Sequence, residues 1–382
     1  MEQSFVVSAV RTPLGRRGKG LAEVHPARLL GLVQRAALDV AGVEPDRVGQ
    51  VVGGCVAQVG EQSFNVTRTA WLAEGLPESV AASTVDAQCG SSQQALTLAS
   101  ALVGAGVVDL ALACGVESMS RIPIGSNFRK DFGLGRPVPK EYLARYEFLN
   151  QYQAAERIAE KWGVTREQAD QLGLSSQQRA ARAWADGRFD GQVVPVVNPD
   201  GIEISRDEGL RETSAEKLAA LDPVVPNGVH TAGSASQISD GASAVLVASE
   251  RAAAELDLRP LARIVDTATT GVDPVMMLLG PHDVTPKLLE RNGLGIDDLD
   301  LIEINEAFAS VVLSWQADVG ADPAKVNPNG GAIAMGHPLG GTGCVLTTKA
   351  VHELRRTGGR YGLVTMCCGG GLGTGTLLEL LD

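Results

Sequence analysis

The feature that most constrains the fold of this chain is a repeated alternation between two kinds of segment. Short apolar runs rich in β-branched residues, such as FVVSAV and VGQVVGGCV, are separated by longer stretches rich in Ala and Leu, such as ARLLGLVQRAALDVAGV. The short runs are typical of buried strands, and the longer stretches are typical of helices. This alternation predicts an α/β fold whose helices cross over a parallel or mixed sheet.

The same order of segments returns after about residue 260. The chain there reads LARIVDTAT, VTPKLLERNGL, DLIEINEAF, VLTTKAVHELRRTG and RYGLVTMCC. Residues 89–115 can be laid over 343–369, because in both a small-residue turn opens a helix, glycine closes it and a buried strand ends in Cys and small residues. The sequence therefore predicts two similar halves whose paired turns meet near a pseudo-twofold axis. Cys89 would then lie close to motifs of the second half.

Residues 121–220 differ in character from the rest of the chain. They hold 15 Lys or Arg and 15 Asp or Glu, so the remainder carries the whole net charge of −12. The turn-rich run 121–140 is followed by amphipathic segments such as QYQAAERIAEKWG and LSSQQRAARAWADG. We predict an inserted, partly helical cap. Its charges are interpreted either as solvated helix faces or as a local landing site for a phosphorylated ligand.

Composition excludes several classes of protein. A chain of 382 residues with 44% hydrophobic side chains can bury substantial cores, which excludes bulk disorder. Its acidic balance argues against a surface that binds nucleic acid or anionic lipid, and favours a small or acyl-type ligand. The longest apolar stretch, 95–116, is interrupted by Asp109 and two glycines, which favours a buried helix, a turn and a strand over a membrane span.

Six cysteines in so long a chain do not form a disulfide scaffold, and none lie in the C-x-x-C pairs of a structural zinc site. The N-terminus, MEQSFVVSAVRTPLGRR, has its acid before a short apolar run and its arginines after it, the reverse of a secretory signal. We therefore expect reduced thiols in a cytoplasmic protein.

Two motifs carry candidate catalytic side chains. Cys89 lies in VDAQCGSSQQALTLA, where a strand gives way to a helix, and the helix N-terminus is expected to lower the pKa of its thiol. The alternative is a packed core thiol. His337 lies in NPNGGAIAMGHPLGGTGC, whose glycines permit the backbone conformations that line a narrow active site. A structural histidine is the alternative there.

Two further motifs add a second thiol and a buried polar pair. Cys367 and Cys368 precede Gly369 in LVTMCCGGGLGTG, where glycine N–H groups could stabilise an oxyanion and a thiol could act as acid or base. A phosphate-binding loop is the competing interpretation, but the G-x-G-x-x-G spacing is lacking. Asn305 and Glu306 lie inside the apolar stretch LIEINEAFAS. Because burying an unpartnered polar group costs free energy, each needs a hydrogen-bond partner or has a functional role.

Taken together, the chain resembles the thiolase family over essentially its whole length. The resemblance is carried by the blocks AVRTPLG, QCGSS, CGVESMSR, TAGSASQISDGA, NEAFA, NPNGGAIAMGHPLGGTG and CCGGGLGTG. It implies a five-layered α-β-α-β-α core made of two β-α-β-α-β-α-β-β halves, plus a loop domain. The expected division is a first half over 1–120, a loop or cap domain over 121–249 that contacts the coenzyme and returns into the first half, and a second half over 250–382.

The resemblance also implies the reaction, which is reversible acyl transfer to coenzyme A by cleavage or condensation of a 3-oxoacyl-CoA. Cys89 would be the acylated nucleophile, His337 would take its proton, and Cys367 rather than Cys368 would exchange a proton with the α-carbon. Asn305, through a water, and His337 would hold the thioester oxygen, while the N–H groups of Cys89 and Gly369 would hold the tetrahedral intermediate. No metal or redox cofactor is implied.

For substrate contacts, the resemblance implies Ser236 beside the pantetheine, with Ala307 and Phe308 close to it, and Arg211 near the adenine end. Met277 would line the acyl cavity, although a Met among leucines is also typical of simple packing. Family members are homo-oligomers, so a homodimer or homotetramer is expected. Nucleic acid and membrane are not expected partners.

Several motifs contain residues that differ from those of many relatives, so the motifs do not determine which acyl chain the protein accepts. The nucleophile is followed by Gly-Ser-Ser-Gln where many relatives read x-Ser-Gly-Leu, and Cys368 fills the x of C-x-G-G-G. These variants resemble actinobacterial thiolases that degrade bulky acyl-CoAs, including steroid side chains. The alternatives are a biosynthetic thiolase that forms acetoacetyl-CoA and a non-catalytic acyl-CoA-binding homologue. A decarboxylating condensing enzyme is disfavoured by Cys367 and by NEAFA, and a cysteine hydrolase would need no second thiol.

Overall fold

The computed structural model describes residues 2–128, 133 and 135–381, in which strands and helices alternate as predicted. The strands are β1 (Ser4–Arg11), β2 (Gly15–Arg16), β3 (Gln50–Gly54), β4 (Ala81–Val85), β5 (Leu110–Ser118), β6 (Val196–Val197), β7 (Glu203–Ile204), β8 (Ser239–Ser249), β9 (Ala262–Gly271), β10 (Leu301–Ile304), β11 (Tyr361–Cys368) and β12 (Leu372–Glu379). The α-helices are α1 (Pro26–Ala41), α2 (Val66–Ala73), α3 (Ser91–Gly104), α4 (Lys140–Leu143), α5 (Gln151–Trp162), α6 (Arg166–Ala185), α7 (Ala215–Ala219), α8 (Glu250–Glu255), α9 (Gly280–Arg291), α10 (Ala309–Val319), α11 (Ala332–Met335) and α12 (Thr342–Thr357).

The main sheet repeats one strand pattern in its two halves. Its order is β10-β11-β12-β9-β1-β8-β5-β3-β4, with β2 paired to β8. In the first half, β3 and β5 are parallel and β5, β8 and β1 follow antiparallel; in the second half, β10, β11, β12 and β9 repeat these relations. The halves join where β1 pairs antiparallel with β9. The predicted pair of similar α/β halves is confirmed.

Five layers result from the side-chain alternation of these strands. On β5, Leu112 and Cys114 pack with α1 and α2 in one core, whereas Ala111 and Ala113 face a second core shared with α3 and α12. A third core lies between the second half of the sheet and α9 and α10. Helices α3 and α12 therefore form the middle layer, and the predicted five-layered core is confirmed.

The apolar stretch 95–116 folds as predicted. It forms most of α3 and of β5, and β5 is buried along its whole length. Among the residues that the structure describes, no helix is long and apolar enough to cross a bilayer.

The cap region contains the predicted helices. Helix α5 begins with a capping box between Asn150 and Gln153, and α6 begins with one between Thr165 and Gln168. Part of the turn-rich run 121–140 lies outside the described residues. The chain returns through β8 to pair with β1 and β5, and the boundaries at 120 and 249 stay predictions.

Helix α10 is one of the helices that the sequence analysis did not predict. Residues after NEAFA were not assigned to an element, yet they form α10, whose first four residues are all buried. A helix that is apolar on most faces lacks the polar–apolar period that identifies amphipathic helices. From its sequence alone, this segment could equally be a buried strand. Its helical form becomes evident only in the structure, where α10 packs against α5 and α9.

Candidate active site

Cys89 lies in a tight turn between β4 and α3. Gln88, the preceding residue, has a φ of 52°, and its backbone N–H donates to Asp86 Oδ1 at 2.7 Å. Gly90 follows, and a Cβ at that position would lie 2.6 Å from Cys368 Sγ, so only glycine allows this approach. The turn holds Cys89 half-buried, whereas the other five cysteines are buried.

The thiol of Cys89 is not acidified as the helix N-terminus predicted. Burial raises its pKa to about 11, although hydrogen bonds from the backbone of Gly369 and of Cys89 itself lower it. The carboxylates of Glu117 and Asp86 raise it further. The prediction of a lowered pKa is therefore wrong, because the loss of hydration outweighs the favourable backbone groups. The thiol is protonated at neutral pH.

His337 and Asn305 meet, as the resemblance implied. Asn305 Nδ2 donates to His337 Nε2 at 3.3 Å, and both side chains are buried. Asn305 Oδ1 is buried without a hydrogen-bond partner in the described part of the chain. No hydrogen bond joins His337 to Cys89 among the described residues.

A threonine that the sequence analysis did not single out fixes the tautomer of His337. The Thr342 hydroxyl donates to the Pro338 carbonyl at 2.8 Å and lies 2.7 Å from His337 Nδ1. Because the hydroxyl proton is used, Nδ1–H must donate and Nε2 carries the lone pair. Burial lowers the pKa of His337 to about 4. The imidazole is therefore neutral, with Nε2 able to accept a proton.

The loop that carries His337 is anchored by a buried carboxylate that sequence reasoning also missed. Glu117 accepts N–H groups from Gly340 at 2.9 Å and from Val56 and Ala57 at 3.0 and 3.1 Å. The loop is further held because Ser239 Oγ accepts the His337 N–H at 3.2 Å. An acid inside the apolar strand LALACGVES is the signal that could have identified Glu117, since it is the same signal that identified Glu306.

Glu306 itself has a structural role. Its carboxylate accepts from Ser176 Oγ at 2.6 Å, Asn327 Nδ2 at 3.1 Å and the Ile333 N–H at 3.2 Å. These bonds tie the cap helix α6 to the strand end that carries Asn305.

The paired turns of the two halves meet, as predicted. Cys344 at the start of α12 donates its N–H to Ser92 Oγ at 3.0 Å, and Ser92 lies at the start of α3. The Cys89 turn and the His337 loop thus belong to adjacent helix N-termini.

The twin cysteines point to opposite faces of β11. Cys368 packs in the middle-layer core, beside Gly90 and within 3.9 Å of Thr374 Oγ1. Cys367 belongs to a different cluster, which includes Met277, Ala307 and Phe308. Burial raises the pKa of Cys367 well above its usual value, and the proximity of Cys89, whose thiolate would repel a second one, raises it further. Three of the residues predicted to line the acyl and coenzyme site, Met277, Ala307 and Phe308, therefore pack with Cys367 and not with Cys368.

The Ser236 segment is joined directly to the segment that follows Asn305. The Ser236 N–H donates to the Ala307 carbonyl at 2.9 Å, and Ala235 bridges to Phe308. Arg211 is exposed, and its N–H donates to Gln177 Oε1 at 2.9 Å. Partial loss of hydration around its guanidinium lowers the pKa of Arg211, and the nearby charge of Arg16 lowers it further.

The substitution that follows the nucleophile does not face the acyl side. Gln93 Nε2 donates to the Val364 carbonyl at 3.0 Å and to Thr376 Oγ1 at 3.1 Å, and Gln93 Oε1 accepts from Thr374 at 2.7 Å. Gln93 therefore joins the two halves through the middle layer, together with Cys368.

Two cavities of the structure lie away from the predicted site residues. A cavity of about 420 Å³ includes Arg17, Glu61 and Arg121 in its lining, and one of about 440 Å³ includes His352 and Arg355. Neither is lined by a predicted site residue. In the described residues, no three His, Cys, Asp or Glu side chains group together as a metal site would require.

Comparison with known proteins gives the family. The model of the thiolase N-terminal domain matches residues 4–251, and that of the thiolase C-terminal domain matches residues 258–380. This chain belongs to the thiolase family. As a thiolase it is an enzyme, an acetyl-CoA C-acyltransferase that cleaves 3-ketoacyl-CoA thiolytically.

The thiolases to which this chain is similar are named for different substrates. The chain is 48% identical over 387 residues to the steroid 3-ketoacyl-CoA thiolase FadA6 of Mycobacterium tuberculosis, covering 100% of this chain and 95% of that protein. It is 43% identical to the 3-oxoadipyl-CoA/3-oxo-5,6-dehydrosuberyl-CoA thiolase of Escherichia coli, covering 99% of this chain and 100% of the relative. The crystal structure of the Bacillus anthracis acetyl-CoA acetyltransferase matches with a TM-score of 0.93 at 36% identity, covering 100% of this chain and 99% of that chain.

Proposed function

We propose that this thiolase degrades 3-oxoacyl-CoA substrates with bulky apolar acyl chains, in lipid or steroid side-chain β-oxidation in the cytoplasm, through an acyl-Cys89 intermediate. The observation that carries the proposal is that the Gly369 backbone lies close enough to the Cys89 thiol to lower its pKa. This proximity joins the thiol of the first half to the glycine turn that follows Cys367 in the second half.

In the first step, the sulfur of Cys89 attacks the 3-oxo carbonyl carbon while its proton passes to His337 Nε2. The C2–C3 bond then breaks, and its electron pair remains on C2 of the departing acetyl-CoA. Cys367 protonates that carbanion. The raised pKa of Cys367 supports this role because it keeps the thiol protonated until the carbanion forms.

In the second step, the Cys367 thiolate takes the proton of an incoming CoA thiol. The CoA sulfur attacks the acyl-Cys89 thioester and releases the shortened acyl-CoA. The proton on His337 returns to Cys89, so both side chains end as they began. The neutral resting states of Cys89 and His337 support this proton cycle.

Two groups of donors would stabilise the oxyanions. The backbone groups of Cys89 and Gly369 both lower the pKa of the Cys89 thiol, which supports the use of their N–H groups for the tetrahedral intermediate. His337 and Asn305 would hold the thioester oxygen. Asn305 would act through a water, from which its Oδ1 can accept because this oxygen has no hydrogen-bond partner among the described residues.

The coenzyme would lie along Ser236, Ala307 and Phe308. Near its adenine end, Arg211 has Arg16 close enough for the charge of Arg16 to lower the pKa of Arg211. This positive charge supports a role for Arg211 near the adenine end of the coenzyme.

The side chains around Cys367 favour a bulky apolar acyl chain. Met276, Met277 and Leu278 share its cluster with Tyr152 and Phe308. Methionine adapts its shape to irregular ligands, and an apolar wall offers no partner to a terminal carboxylate. The 3-oxoadipyl-CoA thiolases at 42 and 43% identity make a dicarboxylic acyl chain the second candidate.

The test is CoA-dependent loss of 3-oxoacyl-CoA absorbance, with acetoacetyl, 3-oxohexadecanoyl, steroid side-chain and 3-oxoadipyl thioesters. We expect kcat/KM for one of the bulky apolar substrates to exceed that for 3-oxoadipyl-CoA by about tenfold or more, because a buried carboxylate would lack a partner. A preference for 3-oxoadipyl-CoA would overturn the acyl assignment, and preference for acetoacetyl-CoA would favour the biosynthetic alternative.

The twin cysteines provide a matched pair of variants. Cys367→Ala is expected to reduce thiolysis by about a thousandfold, because the carbanion loses its proton donor. Cys368→Ala is expected to retain cleavage and to lose about 1 kcal/mol of stability, because it removes only a core sulfur. Steady-state kinetics and thermal unfolding of both variants test this. The reverse pattern would assign the second thiol to Cys368.

We also propose that the enzyme is a homodimer joined at β4. This strand ends the sheet, and Phe64 beside it is 92% exposed. At the other end of the sheet, β10 is covered by hydrogen bonds from Ile302 to Lys325 and from Asn327 to Ile302. An open edge and an exposed ring support pairing with a second copy.

Light scattering after gel filtration tests this proposal. We expect about twice the 39.8 kDa mass of one chain, and a shift toward one chain for Phe64→Glu. The control is Val40→Glu, which changes an exposed residue of α1. A monomeric wild type, or a Phe64→Glu variant that stays dimeric, would refute pairing at this edge.

A further inference from the structure

His230 is a fully buried histidine outside the proposed catalytic set, at the junction of three segments. It immediately precedes the segment that leads to Ser236. Its ring packs edge-on against Phe308, with centroids 5.5 Å apart. Both of its ring nitrogens have partners, one in the cap and one in the second half.

The cap partner is Glu156 on α5. His230 Nδ1 lies 2.9 Å from Glu156 Oε1, and the same carboxylate accepts the N–H groups of His230 and Val229 at 3.0 and 2.8 Å. Burial alone would raise the pKa of Glu156, but these hydrogen bonds bring it below its usual value. An ionised carboxylate accepts only, so Nδ1 of His230 carries the proton.

The partner in the second half is the first turn of α10. The Ser310 N–H donates to His230 Nε2 at 3.3 Å. The residue that caps this helix, Phe308, has no side-chain group that accepts such a bond. His230 therefore supplies from a distant part of the chain the acceptor that a local Ser, Thr, Asp or Asn would otherwise provide.

The segments held by His230 form the proposed coenzyme cleft. Beyond His230, the Ala309 N–H donates to the Ser234 carbonyl at 2.9 Å, and the Ser236 N–H donates to the Ala307 carbonyl at 2.9 Å. Asn305 lies two residues before this bridge. On the cap side, Tyr152 of α5 packs against Phe308 with centroids 5.1 Å apart.

We propose that His230 is a positioning residue for the coenzyme cleft. Through Nδ1 it holds the cap helix α5, and through Nε2 it holds the start of α10, so one rigid ring sets the spacing between the two walls. This inference rests on the proposed function in one respect, namely that pantetheine lies along Ser236, Ala307 and Phe308.

Three substitutions separate the two hydrogen bonds. His230→Leu removes both. His230→Asn keeps a polar atom near the position of Nδ1, and His230→Gln keeps an acceptor near the position of Nε2. His352→Leu is the matched control, because His352 is a partly buried histidine outside the proposed site whose Nε2 donates to the Ala9 carbonyl at 3.1 Å.

The experiment measures the Kd of CoA by calorimetry, together with KM for CoA and kcat in thiolysis. We expect His230→Leu to raise Kd and KM for CoA by about tenfold while kcat of the folded fraction changes less than threefold. His230→Gln should restore both to within about threefold of wild type, because the bond to Ser310 holds α10 directly, and His230→Asn should restore them less.

A histidine needed only for stability would lower the unfolding temperature and leave Kd and KM unchanged, and that result would overturn the proposal. Rescue by His230→Asn but not by His230→Gln would overturn the role of the Ser310 bond. An equal rise in KM for His352→Leu would show a general effect of losing a buried histidine and would also overturn it. Failure of the proposed function is distinguishable, because the wild type would then cleave no substrate, whereas CoA binding by the variants can still be compared.

Discussion

Replacing Cys89 with alanine is expected to abolish CoA-dependent cleavage, with a loss of about ten-thousandfold or more in kcat. Nucleophile and base act as a unit, so removing the nucleophile removes nearly the whole covalent pathway. Stability should change little, because Cys89 is half-buried in a turn held by other groups, such as the bond from Gln88 to Asp86. Spectrophotometric assay of the best substrate, with mass spectrometry of the acyl-enzyme, measures both the rate and the intermediate.

The control is Cys114→Ser, which changes a buried thiol of β5 in the outer core of the first half. It should retain cleavage and form acyl-enzyme at Cys89. Full activity of Cys89→Ala, or an acyl group trapped on another cysteine, would remove Cys89 from the mechanism.

Replacing Lys349 with methionine is expected to destabilise the protein by about 3–5 kcal/mol, because it leaves a buried carboxylate unpaired. Lys349 Nζ lies 2.6 Å from Glu303 Oε2 and 2.7 Å from the Gly330 carbonyl, and both charged side chains are fully buried. The free energy of unfolding in urea measures the loss. The double variant Lys349→Met with Glu303→Leu should recover most of it, since no unpaired charge remains.

The pH dependence of that loss has a definite sign. Burial raises the pKa of Glu303 to about 7, against the attraction of Lys349, and removing Lys349 raises it further. Below pH 7 the carboxyl group is protonated in both folded proteins, so the difference in stability is constant and smallest there. As the pH rises above 7, only the wild type ionises Glu303 beside a partner, and the difference grows. A difference that shrinks between pH 7 and 8.5 would contradict this account.

Much of the fold followed from local pattern. The alternation of β-branched runs and Ala/Leu-rich stretches predicted β1, α1 and β3, and its return after residue 260 predicted β9, α9, β10, α12 and β11. Helix α10 was not predicted, because a helix buried on most of its faces shows no alternation of polar and apolar residues at the helical period. The likeness of 89–115 to 343–369 predicted that the two turns meet, since equivalent elements of a repeated fold pack about a common axis.

The candidate site divides in the same way. Small residues around Cys89 and His337 indicated special turns, because turn geometry depends on neighbours along the chain. The sequence also distinguished Asn305 and Glu306 from their apolar surroundings. It could not show that Glu306 accepts a hydrogen bond from Ser176 while Asn305 Oδ1 has no partner in the part of the chain that the structure describes. That difference depends on residues more than a hundred positions away.

The sequence by itself determined the family, the two halves and the local turns, because these depend on periodicity and on the order of short motifs. Only the tertiary structure decided the pKa of Cys89, since burial by distant segments outweighs the adjacent helix N-terminus. It likewise decided that Cys367 joins the cluster of Phe308 while Cys368 faces the middle layer, because that depends on strand register. The two hydrogen bonds of the His230 ring, to Glu156 and to Ser310, also depend on the tertiary structure. They join segments that meet only when the cap folds onto the second half.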